Sequence, residues 1–458
     1  MERIARSGIF LLLLTKCAFA QTPTGSIIGV VRDPSGAVVA AAHVTVRSSS
    51  TGLERAITTS GVGDFSVPVL PAGEYQVSVE ASGFRPMMRN AAVEAGETTV
   101  ADFSLTIGDV NDSITVNTVT PQMQYDSHTI AAVITQAQIQ DIPLNGRNFL
   151  ELAKLEPGVE PPSPSNNNRV FVPILGAPGS NTGSGGRGTR VTVDGGSIMA
   201  VGSFGAQMGF SQEVVQEFQV SAANFDLSTG TTDAGAVNVV TRSGGNDLHG
   251  AAFYFFRDHM LSAYPALARD PANPDPFFQR RQFGLALGGP IRHDRVFFFA
   301  NWERNEQRGV LDTNLLDPDF AQFSRITTTP LFGDHFSFRL DSRLSNRQTA
   351  FIRYSHDGSG AFAPSPSTGN AMSYPSQWTR QSAWSDQSLM GVTSVFRPML
   401  ANDLRFSYFF SSTAEAAPEE QDCPGCLGMG APAIDISQSN LFIGNSASNS
   451  NLGPPFPP

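Results

Sequence analysis

The sequence predicts a mainly β protein: a small β-sandwich, then an α+β unit, then part of an antiparallel transmembrane β-barrel. Three observations carry this. Between Leu248 and Ser412, stretches of roughly 8–12 residues alternate apolar and polar side chains and are separated by polar turns. In His335–Arg343, Phe336, Phe338 and Leu340 fall on one side while Ser337, Arg339 and Asp341 fall on the other, and Leu404, Phe406, Tyr408 and Phe410 repeat the pattern. The N-terminus reads as an export signal, and Gly25–Ile107 is a series of short β-prone runs broken by turns. Strands with one greasy and one wet face, behind an export signal, fit a barrel wall that faces lipid outside and a polar lumen inside. Alternation alone fits a soluble sandwich equally well; the segments preceding the strands decide between the two.

The chain has 458 residues, 40% hydrophobic and only 16% charged, with 43 Gly, 31 Pro and 33 Phe. That length allows two to four domains, and low charge with much Gly and Phe fits a turn-rich β protein. The formal net charge of −11 argues against nucleic acid as a partner. In the first 20 residues, Arg3 and Arg6 supply a positive n-region, Ile9–Leu14 an apolar core, and Ala18-Phe19-Ala20 a cleavage site before Gln21. A lipid anchor on Cys17 is the weaker reading, because Lys16 stands where a small residue is expected. No later run reaches the ~18 apolar residues of a spanning helix, so membrane insertion has to be by strands. Beyond the signal only Cys423 and Cys426 remain, in Asp-Cys-Pro-Gly-Cys. A thioredoxin-like redox site would open a helix after a buried strand; this Gly/Pro-rich setting favours a disulfide pinning an exposed loop.

In the first unit, Ser26–Val31, His43–Arg47, Asp64–Pro68, Tyr75–Glu80 and Thr99–Leu105 are the expected strands. Turns fall at Asp33-Pro34-Ser35-Gly36, Ser60–Gly63, Pro71-Ala72-Gly73 and Ala81-Ser82-Gly83. Phe65, Leu70, Tyr75, Val77, Val79 and Phe84 are the expected core. The string G-x-V-x-D-P-x-G-x-x-x-x-x-A-x-V, continued by Gly63-Asp64-Phe65, Leu70-Pro71-Ala72-Gly73-Glu74-Tyr75 and Gly83-Phe84, closely resembles the carboxypeptidase-regulatory-like domain, of carbohydrate-binding-like fold. No peptidase follows from that name. None of His43, His128, His249, His259, His293, His335 and His356 begins an H-x-x-E or H-E-x-x-H pair, so no zinc site has a local signature. We expect no catalytic residue, no metal and no cofactor.

The polar connector that follows contains Asp112-Ser113-Ile114-Thr115-Val116, which resembles the TonB box of outer-membrane transporters, although any exposed β-prone pentapeptide looks similar. Such a run can add as a strand to a partner through main-chain hydrogen bonds. Ile139–Phe149, with Leu152 and Leu155-Glu156-Pro157-Gly158-Val159, resembles the start of the plug in TonB-dependent receptors of the Oar-like group. Arg190–Gly195 resembles the plug's central strand and turn, Val214–Val220 a strand leading to its lumenal loop, and Gly235–Arg242 its closing strand. Gly288-Gly289-Pro290-Ile291, Asp294–Phe299 and Trp302-Glu303 resemble the early barrel strands. Singly these strings are common in β proteins; their order and spacing carry the resemblance. It implies an outer-membrane receptor, a TonB-type periplasmic energy-transducing partner, contact with outer-membrane lipid, and an unidentified extracellular ligand.

Two features mislead. Gly183-Ser184-Gly185-Gly186-Arg187-Gly188 satisfies G-x-G-x-x-G, but a strand follows it where a dinucleotide site needs a helix. Arg280, Arg281, Arg292, Arg295, Arg304 and Arg308 could steer anions or pair with lipopolysaccharide phosphates, but ordinary polar-face and turn positions account for them.

The expected organisation is a signal peptide at 1–20, the sandwich at 24–108, a linker with the TonB-box candidate at 109–125, the plug at 126–246, and the first barrel strands at 247–458. Seven strands are expected: 248–257, 280–288, 294–304, 335–344, 347–356, 388–397 and 402–411. Closed on themselves they would give a radius near ~7 Å, too narrow for a ~120-residue plug with a radius of gyration of ~14 Å. About 22 strands would accommodate it. We therefore expect further strands beyond Pro458 in the whole protein, and expect residues 1–458 expressed alone not to insert stably; a heat-modifiable, protease-protected band in outer membranes would contradict this. The alternative function is a secreted or surface β protein whose sandwich binds carbohydrate or another protein.

Overall fold

The structure, a computed structural model, describes residues 24–108, 114–116, 130–156, 159, 190–199, 208–223, 235–263, 273, 275–313, 315, 318–364, 374–397, 400–432, 434–436 and 441–444. Alternation along the first unit folds into two facing sheets. In one, β1 (Thr24–Arg32) pairs antiparallel with β4 (Asp64–Pro71) and parallel with β7 (Thr98–Val100) and β8 (Phe103–Ser104). The other runs β3 (Glu54–Thr58), β2 (His43–Ser48), β5 (Gly73–Glu80), β6 (Met87–Val93) and β9 (Ile114–Val116). Turn chemistry works as read: Asp33 Oδ1 accepts from the Ser35 and Ala37 amides at 2.8 and 2.9 Å, and Gly36 takes the left-handed φ of 85°. Phe65, Leu70, Tyr75, Val77 and Val79 are buried in one core with Ile27, Val44 and Phe103, and Phe84 packs half-buried at its margin.

Three strand expectations need correction. β3 and β6 were not expected, and Thr99–Leu105 is two short strands rather than one. Glu54-Arg55-Ala56-Ile57-Thr58 and Met87-Met88-Arg89-Asn90-Ala91 hold few β-branched and no aromatic residues. Their pairing with β2 and β5 decides their conformation.

The central unit has a five-stranded sheet in the order β10 (Ile130–Ile134), β13 (Val215–Ala223), β14 (Ala236–Thr241), β11 (Arg190–Val193) and β12 (Gly196–Ser197). A short helix, α1 (Gln136–Asp141), and a 3₁₀ segment (Phe149–Leu155) pack against it. At the start of α1 the Gln138 side chain accepts from the Thr135 amide at 2.9 Å, and Pro143 follows the residue that ends it. Ile139, Phe149, Leu152, Val193, Phe218 and Val237 form its core, with Phe149 and Phe218 edge to face at 5.5 Å. Ala286 and Phe299, from the third unit, belong to that same core.

The third unit is a seven-stranded antiparallel meander in sequence order. Its strands are β15 (His249–Asp258), β16 (Phe278–Arg292), β17 (Val296–Thr313), β18 (Arg325–Ser345), β19 (Gln348–Ala363), β20 (Thr379–Arg397) and β21 (Leu400–Ala416). All seven expected strands are present, most of them longer at one end than expected. Those extensions, such as Asn305–Thr313 and Arg325–Asp334, hold few apolar residues, and Val310-Leu311 and Leu331-Phe332 put them on both faces, so alternation does not reveal them.

Period 2 sorts the wall. On β19, Ile352 is 51% exposed, Arg353 3%, and Ser355 fully buried; Met390, Phe406 and Tyr408 point outward with Ile352, while Gln387 points inward with Arg353. Apolar outside and polar inside is the arrangement lipid imposes. Strands join by 293–295 and 346–347 at one end and by 259–277, 314–324 and 364–378 at the other. Short periplasmic turns and long extracellular loops orient the wall, and the sandwich sits at the short-turn end.

Candidate functional site

The chemistry of this chain concentrates where the central unit meets the inner face of the wall, and its focus is one turn. Asp194 follows β11 with a φ of 49°, and Gly195 with 81°, so the chain doubles back and aims the Asp194 carboxylate sideways at the wall. Within the central unit that carboxylate accepts from the Thr241 amide at 2.9 Å and hydroxyl at 2.7 Å. From the wall, Arg353 of β19 approaches to 2.8 Å and Arg339 of β18 to 3.2 Å. Arg405 of β21 donates to the Asp194 carbonyl. Burial pushes the Asp194 carboxyl up, but the two guanidinium groups and the Thr241 bonds outweigh it and hold it below the usual carboxylate range.

A second cluster lies around Asn145-Gly146-Arg147. Arg147, at φ 58°, pairs with Glu213 at 2.8 Å and lies over the Phe253 and Phe255 rings at 4.1 and 4.9 Å. Arg257 and Arg280 donate to the Asn145 side chain at 3.0 and 2.9 Å, and Gln282 to the Gly146 carbonyl at 3.2 Å. Glu303 of β17 accepts from Ser211 and from Gln282. Both clusters are polar and ionic, so they can hold the central unit in place and still exchange for water when it moves.

The six arginines grouped in the sequence do not share a site. Arg280 reaches the central unit, Arg304 pairs with Glu306 and Asp334, and Arg292 and Arg295 lie exposed beside the short turn at 293–295. The arginines that hold the Asp194 turn, Arg339, Arg353 and Arg405, stand on three different strands. An Arg at an inward position of a β-strand beside apolar outward neighbours is the only sequence clue to them.

Of the other expected residues, Asp112 and Ser113 lie outside the described residues, as do Ala20, Gln21 and Gly183–Gly188. Ile114–Val116 form β9, which pairs in parallel with Met87–Arg89 at the edge of the sandwich. Cys423 and Cys426 are disulfide-bonded, 5.6 Å between Cα atoms, and pack with Tyr374 and Ile443 in a small apolar cluster at the long-loop end. In the sandwich Phe65, Tyr75 and Phe103 are buried, leaving no exposed aromatic platform for a sugar among the described residues. Those residues also hold no group of three or more His, Cys, Asp or Glu that could bind a metal ion.

The sandwich meets the central unit at Glu217, whose carboxylate accepts from the Ala95 amide at 2.6 Å. Burial pushes the Glu217 carboxyl up to about 7; the Ala95 bond opposes this, and Glu94 and Glu97 add to it. A carboxyl raised above its value of 4.5 in the separated state favours contact when protonated. Docking is therefore tightest below about 4.5 and weakens as pH rises through about 7. The linker at 109–125 should become more protease-sensitive between about pH 5 and pH 8 than in a Glu217→Gln variant, in which this dependence should be flat.

Comparison with known proteins identifies the class. Residues 240–324 and 314–455 match the model for an outer membrane beta barrel domain, and residues 26–106 that for a carboxypeptidase regulatory-like domain. The chain therefore carries an outer-membrane β-barrel domain behind an N-terminal carboxypeptidase-regulatory-like domain, resides in the outer membrane, and is similar to the TonB-dependent transporters of the Oar-like group. The particular relative is the TonB-dependent transporter Oar of Myxococcus xanthus, 28% identical over 307 residues; the match covers 64% of this chain and 27% of that protein. Among solved structures, the outer membrane transporter YddB of Escherichia coli matches with a TM-score of 0.47 at 11% identity, over 62% of this chain and 39% of that one. A ferric enterobactin receptor (PfeA) mutant from Pseudomonas aeruginosa matches with a TM-score of 0.45 at 12% identity, over 69% and 44%.

Proposed function

We propose that the chain supplies the gating half of an energised transporter for an extracellular ligand. The central unit is the plug. Ligand binds at the long-loop end, a periplasmic TonB-type protein pairs with the strand at 112–116 and pulls, and the plug shifts against the wall to open a path. The observation that carries this reading is the Asp194 turn, a buried but wholly non-covalent anchor between plug and wall. Ala286 and Phe299 of the wall pack into the plug core, but the Asp194 turn is fixed by separate directional ion pairs and hydrogen bonds, which a mechanical pull can break one at a time. The pulled segment lies between sandwich and plug in the chain, on the periplasmic side, where a partner strand can add to it by main-chain hydrogen bonds.

Deleting residues 112–116 should abolish energy-dependent uptake and leave binding to the cell surface unchanged. Uptake at the parental rate after the deletion would remove this mechanism.

A further inference from the structure

The sandwich is bolted to both other units. Arg343 of β18 donates to the Gly52 carbonyl at 2.8 Å, Arg55 of β3 donates to the Asn346 carbonyl in the turn at 346–347, and the Asn246 amide donates to the Ser50 carbonyl at 2.8 Å. Asn246 in turn exchanges two hydrogen bonds with Asp294 of the turn at 293–295, at 2.9 and 2.8 Å. On the plug side stands the Glu217–Ala95 bond. The seam is also close: a Cβ on Gly52 would meet Asp294 Oδ1 at 2.4 Å, and one on Gly96 would meet the Gln219 amide group at 2.8 Å. Between the three units lies a vestibule of about 630 Å³. Its walls include Glu94 and Tyr75 of the sandwich, Glu217 and Arg242 of the plug, and Thr349 and Arg405 of the barrel wall.

We propose that the sandwich is a second gate in series with the plug: it closes the periplasmic side of this vestibule and has to undock before anything passing the plug can leave. The inference rests on the transport reading above. Geometry couples the two gates. Because β9 is zipped to the β6 edge of the sandwich, tension applied at 112–116 reaches the sandwich before it reaches the plug. The seam gives way to such a load because it consists of separate polar contacts, with no apolar core shared across it among the described residues.

The test uses a lock and a reporter. A Cβ built on Gly245 lies 3.6 Å from the Ser50 Cβ, within disulfide range, so Ser50→Cys with Gly245→Cys should cross-link the sandwich to the plug–wall junction. Thr349→Cys in the vestibule reports opening through its reaction with a charged, porin-permeant maleimide in respiring cells, read at position 349 alone by peptide mass so that the reduced thiols at 50 and 245 do not contribute. With the lock reduced, labelling should be at least about tenfold faster than with the lock oxidised; equal rates in fully cross-linked and reduced protein would overturn the gate. An uncoupler separates this from the transport reading. If it slows labelling of the reduced protein to the locked rate, energy opens the gate. If labelling depends on the lock but not on the uncoupler, the gate stands and energised opening fails. Deleting residues 24–108 should give fast labelling regardless of energy, and slow labelling of a correctly inserted deletion variant would also count against the proposal.

Discussion

Asp194→Ala is expected to weaken the hold of the wall on the plug by about 3–5 kcal/mol, the cost of leaving a buried charge without its counter-ion. The two arginines will not suffer equally. Arg339 keeps Asp341, at 2.9 Å. Arg353, whose side chain is 1% exposed, keeps Ser355, the Val193 carbonyl, Gln387 and the Phe210 ring, all neutral. Most of the loss should therefore be recovered when Arg353→Met is added to Asp194→Ala, and little when Arg339→Met is added. The measurement is the denaturant concentration at which the plug of the outer-membrane protein becomes protease-sensitive. A shift worth less than about 1 kcal/mol in the single variant would mean that the cluster is solvated and does not anchor the plug.

Ile352→Arg should cost about 2–4 kcal/mol of folding stability in a bilayer, the penalty for a cation on the lipid face near mid-membrane. Ile352 points outward between Leu340 and Met390 on the neighbouring strands, while its sequence neighbour Arg353 already carries a charge on the lumenal side. The effect must vanish in the direction of the lumen: Thr349→Lys, half-buried on the inner face of the same strand, should cost less than about 1 kcal/mol. Refolding of the whole protein into lipid vesicles with denaturant titration checks both. Similar costs at the two positions would refute the assignment of faces.

The placement of Phe336, Phe338, Leu404, Phe406 and Tyr408 outward was legible because a strand repeats every two residues, so five or six residues suffice to read a face. Sandwich core positions such as Phe65 and Val77 were legible for the same reason. β3 and β6 were not, because their side chains carry no pattern and a partner strand determines their conformation. The upper halves of β17 and β18 were missed on similar grounds: apolar residues are sparse there, and Val310-Leu311 and Leu331-Phe332 fall on both faces, so alternation is lost.

The anchoring site was barely legible. Arg190–Gly195 marked a strand and turn, but nothing near Asp194 foretold its partners on the wall, which are 145 and more positions away. Arg280, Arg292, Arg295 and Arg304 take the ordinary polar-face and turn positions expected of them, because successive strands send neighbouring arginines to different faces and ends.

From its residues alone the chain is an exported, strand-built protein with an apolar outer face and a polar inner one, since these properties depend on local period and composition. Tertiary structure alone decided which charges meet, that the Asp194 turn is held by three strands, and that the sandwich is fastened beneath the plug. Arg343 and Gly52 are 291 residues apart. No local rule links such a pair; only the packing of three separately folded units brings a donor on one to a carbonyl on another, and the free energy of that contact exists in neither segment by itself.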